Sequence, residues 1–459
     1  MDFCSTWKGL GLETITQTAY EAHVNPQWVR LLNLLDMNAE YEVCRGEKLH
    51  TRDGRTILDF LSGYCVYNAG HNHPRIIEAL RTELESDGPS MLQSHVAASA
   101  GKLAEKLCSR AGGRLRKAYF ANSGSEGVET AIKFSRATTG RDGLLAARNA
   151  FHGLTCGALS LMDHRFWSEG FGSALPGVSF VDFGDSDALE RELSSRKYAA
   201  LILEPIQGEG GIVLPPDGYL QRAQTLCQKY GTLFVLDEVQ TGLYRTGTFL
   251  ASHHFGLDPD MVILAKALSG GLVPVGAVLM TDQVYDNVYS SLKRAIVHTS
   301  TYSENSLAMR AGLSTIEVLE QEGLGERALT LGESFREALR RALAEYEMVA
   351  EVRGLGFFNG IVFGQPRSLG LRLSFEAFRR IHPAMFGQVV VMRMFREHRI
   401  LTQICGNNFM VLKAVPPLNG SEGSLDQFVI AIGQVMEVVH SSKSFWQDAL
   451  QLAARAVKI

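Results

Sequence analysis

The sequence predicts an α/β protein with a large domain, built on a mainly parallel sheet, and a smaller α+β domain formed from both ends of the chain. In the middle of the chain, short and almost continuous apolar runs alternate with longer helix-like stretches. This alternation is typical of a parallel sheet covered by helices on both faces. The length of 459 residues also exceeds what one small domain needs, so two lobes are expected.

Four apolar runs are predicted to be strands of the central sheet: Ala199–Leu203, Thr232–Leu236, Met261–Ala265 and Pro274–Met280. The first three are followed directly by Glu204, Asp237 and Lys266. In open α/β sheets, ligands bind just beyond the carboxyl ends of the strands. Three ionisable side chains that arrive there from three strands therefore predict a single site.

The smaller domain is predicted from weaker patterns at the two ends. A Gly/Asp turn at 52–55 separates two short runs and indicates a small β meander. Towards the other end, helical periodicity over Ala328–Tyr346 precedes two β-like pieces, Phe357–Phe363 and Met410–Val415. The predicted boundaries are residues 1–65 for the N-terminal part of the small domain, 66–325 for the large domain and 326–459 for the C-terminal part.

Composition excludes several classes of partner. The formal net charge of −4 offers no basic face for nucleic acid. The longest apolar stretch, Gly271–Met280, contains a proline and is too short to span a bilayer. The first residues lack the charged, apolar and small-residue pattern of a signal peptide. We therefore expect neither a nucleic-acid partner nor a membrane span.

Cysteine usage predicts the compartment. The seven cysteines are scattered and form no CxxC pair. Such spacing indicates reduced thiols in a cytoplasmic protein, with neither a disulfide framework nor a zinc site. No metal is expected. The seven are Cys4, Cys44, Cys65, Cys108, Cys156, Cys227 and Cys405.

Two turns carry candidate ligand-binding residues. Ser123-Gly124-Ser125 follows a short apolar run and precedes a helical pattern. A Gly-Ser turn that opens a helix can bind an anion through its N–H groups and the helix dipole, although a plain N-cap is the commoner use. In the second turn, Phe151-His152-Gly153, the phenyl ring can lie flat on a planar ligand, or the two side chains can be ordinary core residues.

Three further segments follow the predicted strands. A Gly-rich loop with two glutamates begins at Glu204 and contains Glu209. Asp237 ends a buried strand, where a carboxylate is costly unless a cation accompanies it. Lys266 lies between apolar residues, and partial desolvation favours its neutral, nucleophilic form.

These five segments together resemble the class III aminotransferases, the pyridoxal-phosphate (PLP) family that includes the ornithine, acetylornithine and 4-aminobutyrate enzymes. The resemblance runs from Tyr41 to about Leu418, and LDEVQTGLYRTG (236–247) with AKALSGG (265–271) carries it. It implies the PLP-dependent aminotransferase fold, PLP as cofactor and a homodimer with active sites at the interface. Three other segments (24–42, 385–398 and 403–413) are similar to secondary-metabolism aminotransferases such as those of hopanoid side-chain amination.

The resemblance implies two catalytic residues. Lys266 is similar to the lysine that holds the cofactor as a Schiff base and moves the proton between substrate and cofactor. Asp237 resembles the carboxylate that keeps the pyridine nitrogen protonated, so that the ring acts as an electron sink.

Cofactor contacts are implied in the same way. Phe151 and Val239 are similar to the side chains on the two faces of the ring, and Gln240 to the group near its 3-oxygen. In the segment 298–302, Thr301 resembles the threonine that reaches the phosphate of the other subunit. The implied cofactor-binding residues are Ser123, Gly124, Ser125, Phe151, His152, Glu204, Asp237, Val239, Gln240, Lys266, Ser300 and Thr301.

Substrate-binding positions depart from the family pattern. Ornithine and acetylornithine enzymes usually have a carboxylate-binding arginine where this chain has Leu154. Lys413 replaces a second arginine, near the C-terminus, and attracts a carboxylate without the bidentate fork. Glu209 matches the glutamate that pairs with that arginine, and Tyr64 matches an aromatic side chain that lines the pocket. Tyr64, Glu209 and Lys413 are the implied substrate-binding residues.

The predicted function is transfer of an amino group, by ping-pong chemistry, from a glutamate-like or ω-amine donor to an aldehyde or keto acceptor. Decarboxylation or epimerisation of an amino acid on the same fold is the alternative, because the sequence does not fix which substrate bond stands perpendicular to the ring. A non-catalytic relative is a third possibility, against which Lys266 and Asp237 argue. The motifs identify neither the donor nor the acceptor.

Overall fold

The computed structural model describes residues 18–92, 94–382, 385–442, 445–447 and 449–450. Its strands form three sheets. The first comprises β1 (Tyr41–Arg45), β2 (Lys48–Thr51), β3 (Thr56–Asp59) and β13 (Ile400–Leu401). The central sheet comprises β4 (Lys117–Ala121), β5 (Gly143–Ala147), β6 (Val178–Val181), β7 (Tyr198–Leu203), β8 (Leu233–Asp237), β9 (Met261–Leu264) and β10 (Gly276–Met280). The third comprises β11 (Val349–Leu355), β12 (Phe358–Phe363), β14 (Ile404–Cys405) and β15 (Val411–Ala414).

The central sheet has the spatial order β4-β10-β9-β8-β7-β5-β6. Strands β5 to β9 pair with one another in parallel, which confirms the predicted α/β class. The run Pro274–Met280, expected as a further parallel strand, instead forms β10, which is antiparallel to both β4 and β9. The connection from Leu264 to Gly276 is too short for a parallel crossover, which takes about a dozen residues or more and usually a helix. The chain therefore turns back, and β10 runs antiparallel to β9.

Helices cover the sheets and the ends of the chain. The helical run predicted at Ala328–Tyr346 begins earlier, at Leu324, and ends at Leu343. The α-helices are α1 (Thr18–His23), α2 (Pro26–Leu34), α3 (Ser62–Cys65), α4 (Pro74–Glu85), α5 (Ala98–Ala111), α6 (Gly124–Thr139), α7 (Cys156–Ser160), α8 (Arg165–Ser168), α9 (Ser186–Ser194), α10 (Tyr219–Tyr230), α11 (Asp282–Val288), α12 (Ser306–Gln321), α13 (Leu324–Leu343), α14 (Leu369–Ile381), α15 (Phe386–His398) and α16 (Glu422–Ser441). Short 3₁₀ turns lie at Ala251–Phe255, Lys266–Ser269 and Leu292–Arg294.

Both faces of the central sheet are buried. Every residue of β7 and β8 is buried. Along β7, Leu201 and Leu203 belong to one apolar cluster, whereas Ala200 and Ile202 belong to another. Because successive strand side chains point to opposite faces, the two clusters lie on the two sides of the sheet. This arrangement accounts for the almost continuous apolar runs of the sequence.

The first sheet joins distant parts of the chain. Its meander β1-β2-β3 is antiparallel, as predicted from the Gly/Asp turn. β13 then pairs with β3 in parallel, with Ile400 opposite Leu58. The domain boundaries at 65 and 325 remain predictions.

The described residues can be compared with the expectations for membrane spans, metal sites and cysteines. Within the described residues, no helix combines the length and apolar character needed to cross a membrane. In the same ranges, no group of three His, Cys, Asp or Glu side chains is placed to hold a metal ion. The six described cysteines are free thiols. Cys4 and the N-terminal segment used for the signal-peptide prediction lie outside the described residues.

Candidate active site

A cavity of about 590 Å³ lies beyond the carboxyl ends of the central strands. The structure brings into its lining most of the residues singled out from the sequence. Two of the implied cofactor-binding residues, Ser300 and Thr301, are not in this lining. The predicted residues that line it are Ser123, Gly124, Ser125, Phe151, His152, Glu204, Asp237, Val239, Gln240 and Lys266.

Lys266 begins the 3₁₀ turn that follows β9 after one intervening residue, Ala265, and has a backbone φ of 45°. This left-handed conformation is unfavourable for a residue with a side chain, and such strain concentrates at functional sites. Burial lowers the pKa of the Lys266 amine, and the nearby charge of Asp237 acts in the opposite direction. The net effect favours a neutral amine, which is the nucleophilic form.

Asp237 ends β8 and is held through both carboxylate oxygens. Oδ2 lies 2.9 Å from Nδ1 of His152, and Oδ1 accepts a hydrogen bond of 3.1 Å from the Val239 N–H. Burial lowers the pKa of His152, but the hydrogen bond and charge of Asp237, together with Glu204, outweigh burial and raise it. The pair therefore favours a charged imidazolium beside a carboxylate.

Glu204 connects two loops at the edge of the cavity. Its carboxylate accepts backbone hydrogen bonds from Phe151 (3.0 Å) and from Gly208 (2.8 Å). Burial raises the pKa of Glu204 to about 7, against the lowering effect of His152. The structure therefore gives Glu204 a positioning contact with the turn that carries Phe151 and His152.

The start of α6 forms a cradle at the cavity. Ser123 is its N-cap and accepts a hydrogen bond of 3.2 Å from the Glu126 N–H, so the plain capping interpretation holds for that side chain. Space around the turn is tight, since a Cβ on Gly124 would lie 3.0 Å from Val239. Gly153 has φ +122° and its Cα faces the Ser125 side chain so closely that a Cβ would overlap it. Only glycine, which has no Cβ, lets these loops meet around the N-terminus of α6. That N-terminus favours an anion, because its N–H groups and the helix dipole point towards the cavity.

Two buried polar atoms at this cavity lack hydrogen-bond partners among the described residues. They are Nε2 of His152 and Oε1 of Gln240. The other end of the Gln240 amide donates to Glu209 Oε1 at 3.3 Å. Unpaired buried polar atoms are uncommon in folded proteins and point to a missing ligand or water.

Glu209, Lys413 and Tyr64 meet beside the first cavity. The Lys413 ammonium donates to a Glu209 carboxylate oxygen and lies 4.7 Å from the centre of the Tyr64 ring. Lys413 is wholly buried, and the charge of Glu209 outweighs that burial, so the pKa of the lysine is raised. Tyr64 and Glu209 line a separate cavity of about 220 Å³. The predicted partners therefore form an ion pair, although Lys413 faces neither cavity.

Ser300 and Thr301 lie away from Lys266. Both line a third cavity, of about 710 Å³, and Thr301 is exposed. Ser300 accepts a hydrogen bond of 2.9 Å from the amide of Asn122, which itself lines the first cavity. Within one chain, the structure therefore does not bring Thr301 into the Lys266 cavity.

Some lining residues were not assigned from the sequence. Ser269 lines the Lys266 cavity, and Trp167 and Cys405 line the cavity of Glu209. Ser269 lies in the AKALSGG motif and Cys405 in the segment 403–413, whereas Trp167 reaches its cavity through loop packing that leaves no local signal. Leu154 lines neither of these two cavities and is 56% exposed.

The family model "Aminotransferase class-III" matches residues 34–436 of this chain. The chain belongs to the class III aminotransferases. It is 36% identical to the aminotransferase PigE of Serratia sp., over 92% of this chain and 53% of that protein, so it spans about half the length of PigE. It is 35% identical to the putrescine aminotransferase of Pectobacterium atrosepticum, over 79% of this chain and 80% of that protein.

Solved structures of the family share the fold. The ornithine aminotransferase of Toxoplasma gondii, whose active site holds PLP at partial occupancy, superposes with a TM-score of 0.82. The two chains are 28% identical, and the match covers 97% of this chain and 99% of that one. The predicted family, the fold and the enzyme class are thereby confirmed for this class III aminotransferase.

Proposed function

We propose that this chain binds PLP in the 590 Å³ cavity and transfers an amino group from an amino donor to an aldehyde or ketone. One observation carries the proposal. A desolvated lysine, Lys266, shares a single cavity with the buried Asp237–His152 pair and with the N-terminus of α6. PLP is a pyridine that carries an aldehyde and a phosphate. It therefore needs an amine for the aldehyde, a carboxylate for the ring nitrogen and an anion site for the phosphate.

The residues present fit PLP. The turn Ser123–Ser125 would take the phosphate at the start of α6, and Asp237 would take the protonated ring nitrogen. Phe151 and Val239 both line the cavity and would contact the ring, while Gln240 has a free buried oxygen there. When bound, PLP supplies an aldehyde that condenses with amines and a ring that withdraws electrons.

The protein's own residues would then perform three tasks. Lys266 would hold the cofactor through its amine, and its Nζ would accept the proton that leaves the reacting carbon of the substrate. His152 orients the Asp237 carboxylate, and a negative charge on that carboxylate would keep the ring nitrogen of bound PLP protonated. Glu204 fixes the Phe151 turn through its backbone hydrogen bond.

A carboxylate-bearing donor such as glutamate would be bound by Lys413. The ammonium is paired with Glu209 in this structure, so Glu209 has to move away when a carboxylate arrives. With Leu154 in place of an arginine, a second carboxylate has no partner on the Phe151 loop. The preferred partner substrate is therefore an amine or aldehyde without a carboxylate at its far end.

The proposed active unit is a homodimer. Among the described residues, no lysine lines the cavity of Ser300 and Thr301, and an adjoining subunit would use Thr301 at its own phosphate site. An isologous two-fold interface would complete both sites at once. The free thiols of the described cysteines support a reducing, cytoplasmic location.

The test is direct. The protein with PLP is mixed separately with glutamate, alanine, ornithine and putrescine, together with an aldehyde or keto acceptor, and the aminated product is measured by chromatography. Lys266→Ala serves as the control. Appearance of the aminated acceptor supports the proposal. Release of carbon dioxide or an inverted amino acid would assign the decarboxylase or epimerase alternative, and the absence of any reaction would indicate a non-catalytic relative.

A further inference from the structure

We propose that one substrate of this enzyme carries a neutral, mainly apolar tail, and that the tail occupies the 220 Å³ cavity beside Glu209. This inference rests on the proposed amino transfer and names the substrate class of that site. The wall of the cavity that would bind the tail is formed by three aromatic residues, Phe166, Trp167 and Phe409, which we call the aromatic wall.

The aromatic wall is continuous with the proposed cofactor cavity. Phe151, which lines the larger cavity, meets Trp167 edge to face with ring centres 5.2 Å apart. Trp167 meets Phe166 at 4.9 Å, and Phe166 meets Phe409 at 5.8 Å, again edge to face. Edge-to-face packing at these distances is favourable and orders the rings. The four rings therefore form a row that leads from one cavity to the other.

A second contact joins the two cavities. Gln240 lines the larger cavity and Glu209 lines the smaller one, and the amide of Gln240 donates to Glu209 at 3.3 Å. Ala150, in the smaller cavity, directly precedes Phe151, in the larger one. A substrate with its reacting carbon near Lys266 would thus have the smaller cavity next to it.

The charges favour a neutral tail. No lysine or arginine is among the described residues that line the smaller cavity. Its one carboxylate, Glu209, is engaged by Lys413 and Gln240. While Glu209 holds Lys413, a carboxylate on the tail would lose its hydration without a lysine or arginine to pair with, whereas an alkyl or aromatic tail gains from leaving water. The cavity is also lined by the imidazole of His164, which can donate or accept a hydrogen bond, and by the uncharged amides of Gln388, Gln403 and Asn407.

The first measurement is kcat/KM for straight-chain primary amines from propylamine to octylamine, each with the same acceptor. If the tail is buried, kcat/KM should rise about fourfold per added methylene until the cavity is full. Phe166→Ala should lower kcat/KM for the longer amines about tenfold more than it lowers kcat/KM for propylamine. Phe166 is 60% exposed, so its loss should cost little stability. The matched control is Phe171→Ala, since Phe171 is 78% exposed and does not line the cavity.

The second measurement is calorimetric binding of straight-chain carboxamides, which are neutral and unreactive, to the PLP-loaded protein. The dissociation constant should fall with chain length in the wild type and in Phe171→Ala, and much less in Phe166→Ala. Length-independent rates and binding, equal behaviour of the two variants, or a preference for amines with a terminal carboxylate would each overturn the tail site. If no amine reacts while the carboxamides still bind by length, amino transfer fails and the tail site stands.

Discussion

His152 Nδ1 lies 2.9 Å from Asp237 Oδ2, and both side chains are buried at the carboxyl end of the central sheet. The contact fixes one oxygen of the carboxylate, while the Val239 N–H fixes the other. Polar groups in such a place are costly to bury unless they are hydrogen-bonded, and these two contacts supply that bonding. The arrangement therefore orients Asp237 before any ligand binds. Glu204 lies next to this pair, and its charge acts on the pKa of His152.

Glu204 should make the stability of the cofactor-free protein depend on pH. Its pKa is raised from 4.5 to about 7 by burial, so the folded protein binds this proton more tightly than the unfolded chain. The resulting stabilisation is complete below pH 4.5 and is lost as the pH rises through about 7, a change of about 3 kcal/mol at most. Urea unfolding from pH 4.5 to 8 measures it.

The variant Glu204→Gln should remove that dependence. The amide cannot accept a hydrogen bond at both of its ends, so one of the N–H groups of Phe151 and Gly208 loses its partner. We expect the variant to be less stable by about 1–3 kcal/mol at low pH, with a flatter pH profile. His152, whose pKa is also raised, contributes in the same direction, and in the variant it keeps only the part of that shift that comes from Asp237. An unaltered pH profile would contradict the assignment.

Lys266 should be the residue that links to PLP. Borohydride reduction of the PLP-loaded protein, followed by peptide mapping, should place the pyridoxyl group on Lys266. Lys266→Ala should lower amino transfer by about 10²–10⁴-fold or more from the lost proton transfer alone. Exposed Lys102→Ala is the control and should react like the wild type. Recovery of the pyridoxyl group on Lys413 would refute the assignment.

The Glu209–Lys413 pair should separate acidic from neutral substrates. Lys413→Met should raise KM for glutamate by about tenfold or more, because a charged hydrogen-bonded contact is worth about 1–3 kcal/mol. Glu209→Gln should lower KM for glutamate, since the ammonium no longer needs to be released. Turnover of a plain amine should change little in either variant. Equal losses for both kinds of substrate would show that the pair is structural.

Thr301 should act across a dimer interface. Mixed dimers of Lys266→Ala and Thr301→Ala subunits contain one site with both lesions and one with neither. Activity should therefore reappear on mixing, up to a quarter of the wild-type value for random exchange, since about half of the dimers are mixed and each has one intact site. Sedimentation should show a dimer in every sample. A monomer with full activity, or no recovery after proven exchange, would contradict the proposal.

The sequence predicted four of the seven central strands, β7 to β10, to within two residues at each end, because buried strands are marked by short apolar runs. It did not predict the reversed direction of β10, since an antiparallel buried strand has the same composition as a parallel one. Proximity of Lys266, Asp237 and Glu204 followed from the sheet rule alone. The rule succeeded because it depends only on where the strands end and not on how distant loops pack.

Loop packing explains what was missed. The aromatic wall combines Trp167 from α8 with Phe409 from the loop before β15, and no sequence pattern indicates that these two residues lie together. Arg245, within the family motif, is a different case. Its buried guanidinium donates to the carbonyls of Phe357 and Pro416 and to Asn68, so it connects chain segments rather than lining the site. A motif reveals that a residue is required, but only its contacts reveal the reason.

The parallel pairing of β13 with β3 sets an order of events during synthesis. Residues 56–59 leave the ribosome long before residues 400–401, and at about 5–20 residues per second the interval is on the order of tens of seconds. Throughout that time the edge of β3 is an open strand that other nascent chains can pair with. Interrupting translation before residue 400 should therefore yield an aggregation-prone product, even though the whole central sheet has already been made.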